Sequence, residues 1–228
     1  MSSINRPDLP DPADPATILL FDLDGTITDS FEGIEKSFRH ALAAVGAPEP
    51  DPALVAGLAG PPMIDSLHGM DLDDADVEAA MAAYRQRYVE TGWLENSVFD
   101  GMAELLADLT QSGRLMAVAT SKNQGTARTI LDHFGLASHF KYIAGASDDG
   151  TRRSKSDVIA HALSELGITD AADHPVVMIG DRSHDVHGSA RYGIPAIFVD
   201  WGYSVGDEGT DAAWTVDSVD RLRKLIHG

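Results

Sequence analysis

Residues 17–30, TILLFDLDGTITDS, constrain the fold more than any other stretch. Four apolar residues, Ile18, Leu19, Leu20 and Phe21, run into Asp22 and Asp24, which are separated by one residue and followed by Gly25 and Thr26. A run apolar on both faces predicts an inner strand of a parallel sheet covered by helices on both sides. In such sheets ligands bind beyond the carboxyl ends of the strands, where both aspartates fall. A side-chain period of two points the carboxylates roughly the same way, from Cα atoms about 6 to 7 Å apart. So close a pair is electrostatically costly unless a cation sits between them or one holds a proton. The stretch therefore asks for a metal, an acid/base pair, or both.

The rest of the composition narrows the chemistry. At 228 residues, 43% hydrophobic and 23% charged, the chain fits one domain or a core with a smaller insertion. It has no cysteine, which removes disulfides, thiolate nucleophiles and cysteine-bound zinc together. A formal charge of -19 argues against nucleic acid as a partner. No apolar run approaches the ~18 residues of a membrane span and no signal peptide is visible, so a soluble, cytoplasmic protein is expected. An acidic protein can bind a small phosphate ester only through a local cluster of cations or a metal.

Residues 1–15 hold four prolines and read as a flexible tail. After the first strand, Asp29 and Glu32 have capping-box spacing ahead of an apolar helical set, Phe31, Ile34, Phe38, Ala41, Leu42 and Val45, closed by Gly46. Further helical patterns follow, one carrying Val77, Ala80, Met81, Tyr84 and Tyr88 on one face, and no strand pattern occurs before Asn96. This predicts a helical insertion over 31–96 within an α/β core made of 16–30 and 97–228. In that core, strands at Leu115–Ala119, Tyr142–Gly145, Val176–Ile179 and Ala196–Val199 alternate with helices, which predicts a layered α/β fold with a parallel sheet.

Polar groups collect at the predicted strand ends: Asp22, Asp24 and Thr26, then Thr120, Ser121 and Lys122, then Asp181 and Asp185, with Lys155 opening the helix after the third strand. Asp22 is a candidate nucleophile and metal ligand, since a carboxylate attacking phosphorus splits one displacement into two easier steps. Asp24 is placed to protonate the leaving oxygen and then deprotonate water. Asp181 and Asp185 offer hard oxygen ligands suited to Mg²⁺. His184 and His187 lack a zinc motif and read as surface or supporting residues. Thr120 and Ser121 at a helix start would form an anion site. Lys122 and Lys155 near helix N-termini need an anion to compensate them, although a solvated surface lysine weighs more for Lys122 than for Lys155. Arg152, Arg153 and Arg182 would complete a cation cluster or neutralise nearby acids. The turn Gly60–Met63 either dips into the site or joins two helices, and Trp93, Trp201 and Tyr203 read as packing and hinge residues by default, with substrate contact as the alternative.

Together, DLDGT at Asp22–Thr26, Thr120, Lys155 and GDRSHD at Gly180–Asp185 resemble the four motifs of the haloacid dehalogenase superfamily. The helical insertion resembles that family's C1-type cap, on a Rossmann-like three-layer core. Within the superfamily the chain is similar to the phosphoglycolate phosphatase-like and 5′-nucleotidase-like branches. The resemblance implies a Mg²⁺-dependent phosphomonoesterase acting on a small phosphorylated metabolite, as a monomer or homodimer. It implies phosphorylation of Asp22, acid/base work by Asp24, which also gives its carbonyl to the metal, and Thr120 and Lys155 on the phosphoryl group. Asp181 would bind Mg²⁺, with Asp185 behind it or bridged by water. Ser121 stands where an asparagine is frequent, and Phe99–Gly101 replaces a more usual aromatic-proline-glycine sequence. A sugar-phosphate mutase is the alternative enzyme. A phosphoaspartyl receiver is the alternative of another class, although receivers have neither an Asp-x-Asp pair nor a helical cap.

Overall fold

In a computed structural model describing residues 9–60 and 62–227, the apolar run forms β1 (Ile18–Phe21), whose four side chains are all buried. After it come β2 (Thr28–Asp29) and four helices, α1 (Phe31–Ala44), α2 (Pro52–Ala56), α3 (Met63–His68) and α4 (Asp74–Glu90). The chain then returns through β3 (Ser97–Val98), α5 (Met102–Gln111), β4 (Met116–Asn123), α6 (Gln124–His133), β5 (Tyr142–Ala146) and α7 (Lys155–Glu165). It closes with β6 (Val176–Gly180), α8 (Ser183–Ala190), β7 (Ala196–Val199), β8 (Trp214–Val216) and α9 (Val219–His227). Six strands form one parallel sheet in the order β5-β4-β1-β6-β7-β8. β1 lies inside it, paired with β4 and β6, as expected of a strand apolar on both faces.

Alternation along the strands assigns the two faces. Leu19 and Phe21 pack with residues of α5, α6 and α9 in one buried cluster, while Ile18 and Leu20 pack with residues of α7 and α8 in another. The result is a three-layer α/β core, and the expected fold class holds. β8 and α9 were not anticipated; β8 is only three residues long, too short to show a period.

Between β2 and β3, helices α1–α4 enclose a third apolar cluster that includes Ile34, Phe38, Leu42, Leu58, Leu67, Val77 and Tyr88. The two chain crossings into and out of this segment are paired antiparallel, with Thr28 opposite Val98 and Asp29 opposite Ser97. The capping box expected from Asp29 and Glu32 does not form. Ser30 occupies the N-cap position without a side-chain cap. Its hydroxyl donates to Asp24 instead, and the Asp29 carboxylate accepts from the Tyr203 hydroxyl and the Phe31 N–H.

Of the expected tail, residues 1–8 lie outside the described residues. From Asp11 the chain turns back on itself and is anchored: buried Arg114 donates to the carbonyls of Pro12, Thr17 and Ile226. Pro61 also lies outside the described residues. None of the described helices is long and apolar enough to cross a membrane.

Candidate active site

The site begins where β1 ends. The Asp22 N–H donates to the Ile179 carbonyl, the last ladder bond on that side, and the chain then curls so that Ile27 and Thr28 both donate to the Leu23 carbonyl. Gly25, at φ 81°, makes this curl possible. A Cβ there would lie 2.2 Å from Asp181 Oδ2, so the curl is also pressed against the end of β6.

Asp22, Asp181 and Asp185 are all buried, and one carboxylate oxygen from each lies within 4.8 Å of the others. Asp181 accepts from the Tyr203 N–H at 2.7 Å and from the Thr26 hydroxyl at 3.4 Å. Asp185 accepts from the Arg182 N–H at 3.1 Å. Glycines let backbone approach these acids: a Cβ at Gly202 would lie 2.3 Å from Asp181 Oδ2, and one at Gly180 would lie 2.2 Å from Asp185 Cγ. Lys155, the first residue of α7, reaches across from the opposite side. Its Nζ donates to Asp22 Oδ1 at 2.6 Å and to the Ala119 carbonyl at 3.0 Å, and lies 2.7 Å from Asp185 Oδ1. The stem of Lys155 passes so close to α8 that a Cβ at Gly188 would lie 2.9 Å from Lys155 Cγ.

Three buried carboxylates against one lysine leave a net negative charge. Burial, reinforced by the Asp185 charge and opposed by Lys155, pushes Asp22 up to about 6. Burial and the charges of Asp185 and Asp22 hold Asp181 well above the usual carboxylate range. Burial alone would lower Lys155, but Asp185 and Asp22 overcome it and raise the ammonium above its ordinary value. This hard-oxygen set, negative in sum and held by close backbone, fits a divalent cation.

Asp24 sits apart from that cluster. Its Oδ1 accepts from the Ser30 hydroxyl at 2.5 Å and its Oδ2 from Lys122 Nζ at 2.7 Å. Only 8% of the Lys122 side chain is exposed, and its Nζ lies 4.7 Å from the centre of the Tyr88 ring. Tyr88 in turn stacks on Tyr84 one turn earlier in α4. Lys122 is thus not a solvated surface residue. It lies on β4, whose pairing with β5 is irregular between Ala119 and Asn123.

Thr120 and Ser121 also lie on β4, ahead of the helix rather than at its start, because Asn123 is the N-cap of α6. Both line a cleft of about 800 Å³ together with Asp22, Asp24 and Lys122. Gly60, Pro62, Met63, Met81, Tyr84 and Tyr88 form the wall opposite. Of the three arginines considered from the sequence, only Arg153 lines the cleft. Arg152 ties its loop to Gly145 and Gln124, and Arg182 pairs with Glu208 while packing under Gly60. His184 and His187 are exposed and lie outside the acidic cluster. Phe99 packs edge-on against Trp201, whose indole donates to the Thr26 carbonyl. Ser30 and Tyr88 carry no site role in the sequence reading, and Tyr203, read there by default as a packing residue, links Asp181 to Ser30. The apolar period had placed Tyr88 on a packed face, but nothing in its spacing revealed Lys122 as its neighbour.

A family model described as haloacid dehalogenase-like hydrolase matches residues 19–199. The chain is 48% identical over 219 residues to the tyrosine-protein kinase PtkA of Mycobacterium tuberculosis, covering 94% of this chain and 74% of that protein. It is 44% identical over 191 residues to a 5′-nucleotidase of Pseudomonas aeruginosa, covering 83% and 85% of the two chains. The crystal structure of a predicted phosphatase from Clostridium acetobutylicum superposes with a TM-score of 0.85 at 38% identity, covering 92% of this chain and 98% of that one. With this match across most of its length, the chain belongs to the haloacid dehalogenase-like hydrolase family, as an enzyme of the phosphatase type.

Proposed function

We propose that the protein is a Mg²⁺-dependent phosphomonoesterase that works through an aspartyl phosphate on Asp22. The observation that carries this reading is the pairing of a buried three-carboxylate cluster, matched by one lysine among the described residues, with a fourth carboxylate, Asp24, that lines the same cleft as Asp22. Asp22, Asp181 and Asp185, with the Asp24 carbonyl, would hold the metal, which when bound supplies charge neutralisation for the phosphoryl oxygens. Asp22 attacks phosphorus as the bond to the leaving oxygen breaks, and Asp24 gives that oxygen its proton. Water then attacks the phosphorus, Asp24 takes its proton, and the Asp22 carboxylate is released with inorganic phosphate. Lys155 balances Asp22 and its neighbours, while Thr120 and Ser121 offer donors to the phosphoryl oxygens. The helical segment, read as a cap, excludes bulk water from the reacting groups.

The wall of methionines and tyrosines, and a cleft far larger than a two-carbon acid needs, favour a 5′-nucleotide over phosphoglycolate. The relative named 5′-nucleotidase supports the same choice. A phosphate-release screen over nucleoside monophosphates, phosphoglycolate and sugar phosphates in Mg²⁺, with Asp22→Asn as control, tests the reading. Wild-type turnover by that variant would refute it.

One observation favours a second reading: the 48% identity to a protein named as a tyrosine-protein kinase. Both readings pass through Asp22 and differ in the acceptor, water or a tyrosine hydroxyl. Incubation with a γ-labelled nucleoside triphosphate and a tyrosine-containing peptide separates them, since only the kinase reading labels the peptide.

A further inference from the structure

Lys122 stands outside the residues that the mechanism above uses, yet little of its side chain reaches solvent. Its neighbours come from two different parts of the fold. From the core, Asp24 Oδ2 accepts its hydrogen bond at 2.7 Å. From the helical segment, the Tyr88 ring covers it at 4.7 Å. Removing such a cation from water is costly unless it is paired. The ion pair and the ring face together offset that cost.

We propose that Lys122 is a positioning residue for Asp24, and that it transmits the seating of α4 over the cleft to the acid/base carboxylate. The Asp24 carboxylate is pinned from two directions: Ser30 Oγ holds Oδ1 from the linker into the helical segment, and Lys122 Nζ holds Oδ2 from β4. Ser30 is itself fixed, because its N–H donates to the Tyr203 hydroxyl at 2.6 Å. Of the two anchors, Lys122 is the one that a side chain of α4, Tyr88, touches directly. With Tyr88 in place, the ammonium has an aromatic face on one side and a single carboxylate to donate to, so it stays on Asp24. With Tyr88 displaced, water reaches the ammonium and competes for it, and Asp24 loses one of its two anchors. The acid/base group is then held best only when the cleft is covered, which directs proton transfer to the enclosed site.

This inference rests on the phosphomonoesterase reading, and the experiment keeps the two apart. Turnover is measured with p-nitrophenyl phosphate and with glycerol 2-phosphate, in Mg²⁺, for Lys122→Met, Lys122→Arg, Tyr88→Leu, Tyr88→Phe, the Lys122→Met/Tyr88→Leu double variant and Asp22→Asn. Lys122→Met is expected to lose kcat about 10- to 100-fold with KM little changed, a part of what acid/base catalysis supplies. With p-nitrophenyl phosphate, whose leaving group departs without a proton, the variant gives a burst of about one product per active site and then slow turnover, because water attack still needs Asp24. With glycerol 2-phosphate both steps need Asp24 and no burst is seen. Lys122→Arg recovers part of the loss, and Tyr88→Phe loses less than Tyr88→Leu. The double variant is no slower than Lys122→Met, since Tyr88 acts through Lys122. A rise in KM at unchanged kcat for Lys122→Met, or losses that multiply in the double variant, would overturn the proposal. Wild-type turnover by Asp22→Asn would instead overturn Asp22 as the nucleophile, and absence of phosphate release from either ester by the unmutated protein in Mg²⁺ would overturn the phosphomonoesterase reading.

Discussion

Lys155 Nζ donates to Asp22 Oδ1 at 2.6 Å, across 133 positions of sequence, and so joins the start of α7 to the end of β1. Because the same ammonium lies 2.7 Å from Asp185, it is, among the described residues, the one side-chain cation paired within the three-carboxylate cluster. Lys155→Met leaves those acids uncompensated in the dark of the core. The expected cost is about 3 to 5 kcal/mol in the metal-free protein, read from the urea midpoint, with a smaller loss in Mg²⁺. Equal losses with and without Mg²⁺ would contradict the idea that cation and lysine share one charge balance.

Proton and metal compete for the same oxygens. Burial raises Asp22 from 3.8 in the unfolded chain to about 6 in the fold. Between those values the folded state binds the extra proton, so metal-free stability falls as pH rises through that window and stays lower above it. Mg²⁺ must displace that proton. The Mg²⁺-induced rise in Tm is therefore expected to be large at about pH 7.5 and to fade by about pH 5. A Tm rise independent of pH, measured by scanning fluorimetry, would place the metal elsewhere.

Gly202→Ala tests the close approach of backbone to Asp181. The added Cβ would lie 2.3 Å from Asp181 Oδ2, an oxygen against which Gly25 is also closely packed. Stability is expected to fall by about 1 to 3 kcal/mol. The Mg²⁺-induced Tm rise should shrink with it. Retention of the full Mg²⁺ response would show that Asp181 tolerates displacement.

Arg114 serves the scaffold alone. It is 7% exposed and donates to three carbonyls, one near each chain end and one at the start of β1. Arg114→Met is expected to cost about 3 kcal/mol, from bonds to a charged donor that are lost while the carbonyls stay buried. Turnover per folded molecule should be unchanged, which thermal melts and assays well below Tm would check.

The sequence was most legible where physics is local. A strand apolar on both faces announced an inner parallel strand, and β1 is one, between β4 and β6. Helix α1 ended where Gly46 takes φ 68°. The three acids after β1 and β6 could be named from spacing at strand ends, because strand order in a parallel sheet sends those ends to one edge. β8 escaped because three residues show no period, and the capping box at Asp29 failed because a distant group, the Tyr203 hydroxyl, engages the Asp29 carboxylate that would build it.

By itself, then, the chain determined its layered α/β class, the apolar runs that build the sheet, and the residue types at each strand end, since periodicity and turn chemistry act over a few residues. Tertiary structure alone decided which of those groups touch. That Lys122 leaves solvent to pair with Asp24 under the Tyr88 ring, and that Tyr203 links Asp181 to Ser30, follows from elements brought together over tens to more than a hundred residues. Contacts of that kind depend on packing and shared burial, which no local pattern in the opening strand or its neighbours records.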